Sequence, residues 1–102
     1  MRQKIFPTSD QITITGVLYA LSDPTRLEIA RQLATEGQKA CCEFGFPISK
    51  STLSHHFKVL RDAGVVYTRT EGTQSVNSIR REELEVRFPG LLDTILQAAT
   101  AQ

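Results

Sequence analysis

No stretch of this sequence approaches the roughly 18 consecutive apolar residues of a membrane-spanning helix, so no membrane partner is expected. The opening residues, Met1-Arg2-Gln3-Lys4-Ile5-Phe6-Pro7, are charged but lack the apolar stretch of a signal peptide, and a cytoplasmic location follows as the expectation. Cysteine is scarce. The chain has two, Cys41 and Cys42, and an adjacent pair makes no disulfide framework. Also missing are a glycine loop that cradles phosphate, a nucleophile paired with a base, and a cluster of metal ligands. Ser54, His55 and His56 are the one string that suggests chemistry. Neighbours on a helix point about 100° apart, however, and do not readily converge on one atom. The chain is therefore read as a non-enzyme with no cofactor and no metal site.

What is present amounts to one domain of chain. The 102 residues are 40% hydrophobic, which describes a folded globule spanning residues 1–102 as a single unit. A domain this small buries a limited core, which makes a dimer that adds burial plausible. The net charge of +1 conceals an asymmetry: Lys50 to Arg81 holds six cations and two anions, while the rest holds six cations and nine anions. A basic half beside an acidic half is the footprint of a nucleic-acid face on a small domain.

The most informative stretch is Lys50 to Gly64. On a helix, Leu53, Phe57 and Leu60 fall on one side at the spacing that buries a stripe. Ser51, Ser54, His55 and Lys58 fall opposite. Hydroxyls, imidazole and one lysine suit a major groove, where short groups meet phosphates and longer ones reach base edges. An ordinary amphipathic helix with a polar outer face is the competing description. Gly64 ends the helix, and Val65 to Thr70 then reads as a strand. Glu71-Gly72-Thr73-Gln74 reads as a turn and Ser75 to Ile79 as a second strand. This hairpin places Arg69, Thr70, Thr73 and Gln74 at or near its tip.

Elsewhere the pattern is less uniform. Residues 1–8 read as an irregular arm. Ser9 or Asp10 opens a helix to about Leu21 with Ile14, Leu18 and Leu21 as its stripe, although Gln11 to Thr15 also alternates like a strand. Asp23 and Pro24 mark a helix start that runs to Gly37. Leu27, Ile29, Ala30 and Leu33 form its buried side, and Glu28, Arg31 and Gln32 face water. Lys39 to Phe44 reads as a short helix, broken by Gly45-Phe46-Pro47. Ser49 or Ser51 then caps the polar-faced helix. Short helix, turn and longer helix in sequence are the layout of a helix-turn-helix. Arg80 to Phe88 reads as partly helical, and Pro89 opens a final helix whose apolar stripe, Leu91, Leu92, Ile95, Leu96 and Ala99, is expected both to complete the core and to pair with a second copy. The fold class is thus mainly α with a small β-hairpin wing (α+β).

With these elements placed, three stretches carry a resemblance to the ArsR family of bacterial winged-helix repressors. Leu18 to Ile29, with its S-D-P-T-R-L string, resembles the entry to that family's second helix. Ser51 to Val66, with its SHH-x-K-V-L-R-x-A-G string, resembles its recognition helix, and Thr68 to Gly72 its wing. The resemblance implies a dimeric winged helix-turn-helix, and it favours helix over strand in the first segment. It also implies a homodimer joined through the first and last helices, about 9–21 and 89–99, by Ile14, Leu18, Leu91, Leu92, Ile95, Leu96 and Ala99. The implied partner is double-stranded operator DNA with an inverted repeat, bound by the apo form and released by an inducer that the sequence does not name. Contacts implied for DNA are Ser49, Lys50, Ser51, Thr52, Ser54, His55, Lys58, Arg69 and Thr73. His56 falls nearer the buried face and reads as structural. A protein–protein winged-helix module is the alternative from another class, and the polar, cationic helix face argues against it.

The family's metal sites do not map onto this chain. One needs Cys-x-Cys, and here the residues are Ala40-Cys41-Cys42-Glu43; another needs histidine on the last helix, which has none. Three readings of Cys41 and Cys42 stay open: small buried hydrophobes, a thiol redox sensor, or a soft metal(loid) site.

Overall fold

Side-chain caps mark where the first three helices begin in the computed structural model, which describes residues 6–100. Thr13 accepts from the Gly16 N–H and opens α1 (Ile14–Ala20). Asp23 accepts from the N–H groups of Thr25 and Arg26, and with Pro24 in the first turn it opens α2 (Pro24–Glu36). Ser49 accepts from Thr52 N–H and opens α3 (Lys50–Asp62). Gly64, at φ +83°, turns the chain out of α3.

Three antiparallel strands follow the order β1-β3-β2. They are β1 (Lys39–Ala40), β2 (Val66–Glu71) and β3 (Gln74–Ile79). The β2–β3 ladder runs from Val66 opposite Ile79 to Glu71 opposite Gln74, leaving Gly72-Thr73 as a two-residue turn. The chain continues through α4 (Arg81–Arg87) and α5 (Leu91–Thr100). This is the mainly α, winged helix-turn-helix architecture read from the sequence. No helix among the described residues is long and apolar enough to cross a membrane.

Val17, Ala20, Leu21, Ile29, Ala30 and Leu33 meet Phe57, Leu60, Val65, Val66, Leu84, Leu92 and Leu96 in one core. Of the stripe expected on the first helix, only Leu21 joins it; Ile14 and Leu18 are each 46% exposed. Leu27 is half-buried against the core.

Several elements differ from the sequence reading. The expected arm over residues 1–8 lies partly outside the described residues. The helix expected over 9–21 is broken: Ser9–Gln11 make a 3-10 turn, Ile12 is extended, and α1 starts at Ile14. The break has a packing cause. Ile12 is 1% exposed and fills the space beside Gly64, and the Arg87 guanidinium donates to its carbonyl at 2.7 Å. The short helix expected over Lys39 to Phe44 is instead β1 followed by a 3-10 turn, Cys41–Glu43. Lys39 and Ala40 pair with Asn77 and Val76, and Glu43 accepts from the Ala40 N–H at 2.7 Å. Pro89 does not open the last helix. Gly90 at φ +80° turns the chain after it, and α5 begins at Leu91. Glu28, Arg31 and Gln32 are half-buried rather than in water, because Glu28 accepts from both Arg31 and Gln32. The Arg31 guanidinium holds the Glu28 carboxyl below its ordinary range, and Arg80 does the same to Glu83.

Candidate nucleic-acid interface

Helix α3 presents its polar side as the spacing predicts. Phe57 and Leu60 are buried, Leu53 is half-buried, and Ser51, Ser54, His55 and Lys58 are exposed. At its first turn the hydroxyls of Ser49, Ser51 and Thr52 cluster: Ser49 Oγ lies 3.1 Å from Ser51 Oγ and 2.9 Å from Thr52 Oγ1. All three residues are exposed, as is Lys50 beside them. Hydroxyls that bond one another can exchange those bonds for an anion, and the helix N-terminus favours one.

Two cations of this region are paired. Lys58 Nζ sits 2.7 Å from Asp62 Oδ2, one turn along the helix. Arg69 donates through Nε and Nη2 to Glu71 Oε2, and through Nη1 to Gln38 Oε1 at 2.7 Å. Arg69 is half-buried beside β1 rather than free at the wing tip. Thr73 is exposed within the Gly72-Thr73 turn, and Thr70 and Gln74 are exposed on the strand ends.

His56 turns inward. Its side chain is 12% exposed, with Nδ1 3.3 Å from Arg26 Nη1 and 3.8 Å from Asp23 Oδ2. Arg26 was not singled out from the sequence, and it is 6% exposed. A signal existed: Arg26 stands three and four residues before Ile29 and Ala30, on the same side of α2 as the core. Asn77 was missed too. It is 0% exposed, accepts from Thr68 Oγ1 at 2.6 Å, and its amide lies 3.2 Å from both Lys39 O and Cys41 Sγ. No pattern in Gln74 to Ile79 marks it.

Cys41 is half-buried and Cys42 exposed, and both thiols are free. Among the described residues no group of three or more His, Cys, Asp or Glu is placed to hold a metal ion.

The residues expected at a dimer interface divide. Ile14 and Leu18 are exposed on α1, and Leu91, Ile95 and Ala99 are half-buried on α5. Leu92 and Leu96 take the core half of the double role expected of the stripe: at 4% and 8% exposure they are in the core of the single chain. Helix α5 turns that side onto α2, which removes both from any outer face. Ile14, Phe88, Pro89, Leu91 and Thr94 line an open, mostly apolar groove of about 450 Å³.

Residues 23–68 match the model of the family described as "Bacterial regulatory protein, arsR family". The chain is 38% identical over 91 residues to the "Uncharacterized HTH-type transcriptional regulator YceK" of Bacillus subtilis, covering 86% of this chain and 90% of that protein. It is 38% identical over 74 residues to an arsenical resistance operon repressor of Staphylococcus xylosus, covering 71% of this chain and 70% of that one. Among solved structures, the transcriptional repressor BigR from Xylella fastidiosa superposes with a TM-score of 0.62 at 27% identity, over 86% of this chain and 80% of that one.

Proposed function

The chain belongs to the arsR family of bacterial regulatory proteins, and we propose that it acts as a homodimeric repressor that reads an inverted repeat in operator DNA. One observation carries this reading: the exposed side of α3 bears hydroxyls, imidazole and lysine in place of apolar groups, with its hydroxyls gathered at a capped N-terminus. Ser49, Lys50, Ser51 and Thr52 take backbone phosphate at the helix start, where free N–H groups favour an anion. Ser54 and His55 lie on the exposed side past the first turn and are assigned to base edges. Lys58, Arg69 and Thr73 contact backbone phosphate, with Lys58 and Arg69 exchanging a carboxylate for it.

A second copy joins through Ile14 and Leu18 of α1 with Leu91, Ile95 and Ala99 of α5. A two-fold axis there sets two α3 helices about 34 Å apart, one turn of the duplex, and the operator is accordingly palindromic. We keep the cysteine pair as the second reading for release. Cys42 is exposed to oxidants, and the neighbouring Cys41 thiol meets Asn77 of the wing strand β3.

The test is a fluorescence-anisotropy titration of the reduced protein on duplex DNA from upstream of its own gene, against a scrambled duplex, with and without a thiol oxidant. Specific binding supports the repressor. Loss on oxidation, restored by reductant, supports the thiol reading; indifference to oxidant removes it. No preference for the upstream duplex refutes an operator there.

A further inference from the structure

We propose that Arg26 is a positioning residue for the DNA-reading helix and acts through His56; this rests on the reading of α3 given above. Arg26 is the one charged side chain buried in the core of the described residues. From α2 its guanidinium reaches two other elements, α1 and α3. Nε donates to Ala20 O at 2.7 Å, which satisfies a carbonyl at the open end of α1, and Nη2 donates at 3.3 Å to Tyr19 O, which Ser22 also serves. Nη1 lies 3.3 Å from His56 Nδ1, in the middle of α3. The guanidinium carbon stands 5.3 Å from the centroid of the Tyr19 ring.

The chemistry of the pair fixes the imidazole. A guanidinium has donors only, so His56 Nδ1 accepts, and the single ring proton sits on Nε2. The nearest carboxylate, Asp23, is 3.8 Å from Nδ1 and is already engaged by two backbone N–H groups at the start of α2. The ring therefore points its lone pair at Arg26 and is locked in one tautomer. His56 is too enclosed to read DNA itself, but it precedes Phe57 and follows the exposed His55. The Arg26 bonds tie this turn of α3 to the end of α1, and so fix the direction in which the polar face of α3 points. Because α1 also carries Ile14 and Leu18, Arg26 joins the helix assigned to the second copy to the helix assigned to the groove. It thereby sets how far apart two reading helices stand.

Two measurements test this. The first is the tautomer of His56 by 15N NMR of the free protein near neutral pH. The expected state has the proton on Nε2 and a bare Nδ1. A proton on Nδ1 removes the bond to Arg26 and overturns the proposal, whatever the protein binds. The second compares His56→Gln, whose amide oxygen can accept from Arg26, with His56→Met, which offers no such acceptor. Both are checked for native circular dichroism and for oligomeric state. His56→Gln is expected to bind the upstream duplex within about threefold of wild type, and His56→Met to lose roughly tenfold or more. On a scrambled duplex both keep wild-type affinity and salt slope, since neither removes a phosphate contact. Equal operator affinities for the two folded variants overturn the proposal. So does an equal loss on both duplexes, which marks His56 as a contact rather than a support. If wild type itself shows no operator preference, the DNA reading fails and the positioning role with it, while the tautomer still decides the Arg26–His56 bond.

Discussion

Replacing Gly64 by alanine tests the junction between α3, the first wing strand and the start of the chain. Two separate costs follow from the geometry. Gly64 has φ +83°, a left-handed conformation that costs an L-residue roughly 1–2 kcal/mol. A Cβ there would also stand 2.5 Å from Ile12 Cγ1 and 2.6 Å from Ile12 Cδ1. Ile12 is 1% exposed and has no solvent to move into, so the clash must be relieved by shifting the core. Forcing an extra carbon into packed space costs about 1–3 kcal/mol. The two together predict a loss of about 2–5 kcal/mol, a large part of the stability of a domain this size. Urea titration at one fixed protein concentration measures it, since a linked dimer equilibrium would otherwise shift the midpoint. Gly72→Ala isolates the first cost, because Gly72 has φ +60° with nothing within 4 Å of a Cβ. An Ile12→Ala background isolates the second: there Gly64→Ala loses only the backbone term, giving a coupling of about 1–3 kcal/mol. A loss for Gly64→Ala no larger than for Gly72→Ala, or one unchanged in the Ile12→Ala background, refutes the reasoning.

Leu18→Glu, on a side chain 46% exposed in the single chain, is expected to halve the mass seen by light scattering while leaving circular dichroism unchanged; a persistent dimer moves the interface elsewhere. Lys58→Ala is expected to weaken binding to every duplex about equally and to lower the log–log salt slope by about 1; an unchanged slope leaves Lys58 with Asp62 and off the phosphate. Asn77→Ala opens a cavity at a 0% exposed site and strips partners from the Thr68 hydroxyl and the Lys39 carbonyl, with a loss of about 2–4 kcal/mol in urea titration; a loss under about 1 kcal/mol counts against the node. The Glu28 carboxyl is held below its ordinary range chiefly by Arg31, so the folded state gains stability above that range and loses it as pH falls through the depressed value. Glu28→Gln therefore flattens the stability curve between about pH 5 and pH 3, by about 0.5 kcal/mol because solvent screens the pair; an unaltered acid limb contradicts it.

The parts of the fold legible from sequence are those fixed by neighbours in sequence. Asp23 with Pro24, Ser49 and Gly64 are local devices, and each helix boundary they mark appears in the structure. The hairpin is local as well, with its glycine turn between two β-branched runs. What escaped is what distant partners decide. Ile12 is extended because it packs beside Gly64, some fifty residues on, and nothing in Gln11 to Thr15 announces that neighbour. Lys39 and Ala40 become a strand because Asn77 and Val76 offer them an edge. Two residues have no periodicity from which a strand is read. The stripe of α5 reads as serving core and interface together, without saying which residue does which. Only the rotation of α5 about its axis, set by its packing on α2, separates Leu92 and Leu96 from Leu91 and Ile95.

The candidate site shows the same division, most plainly in its charge. Counting along the sequence makes Lys50 to Arg81 a basic block, yet two of its six cations are engaged by carboxylates from beyond it. Arg80 pairs with Glu83 at 2.6 Å and Arg81 with Asp93 at 2.5 Å, so the end of the block belongs to the packing of α4 and α5. Lys58 and Arg69 are paired within it, by Asp62 and Glu71. A phosphate must compete with each of those carboxylates, and exposed pairs of this kind are worth about 1 kcal/mol or less. On the reading proposed above, a duplex brings many phosphates and the release of condensed counterions to that exchange, an advantage that falls as salt rises. On that same reading, the carboxylates lower the net pull of this face on any duplex and leave specificity to the uncharged groups of α3.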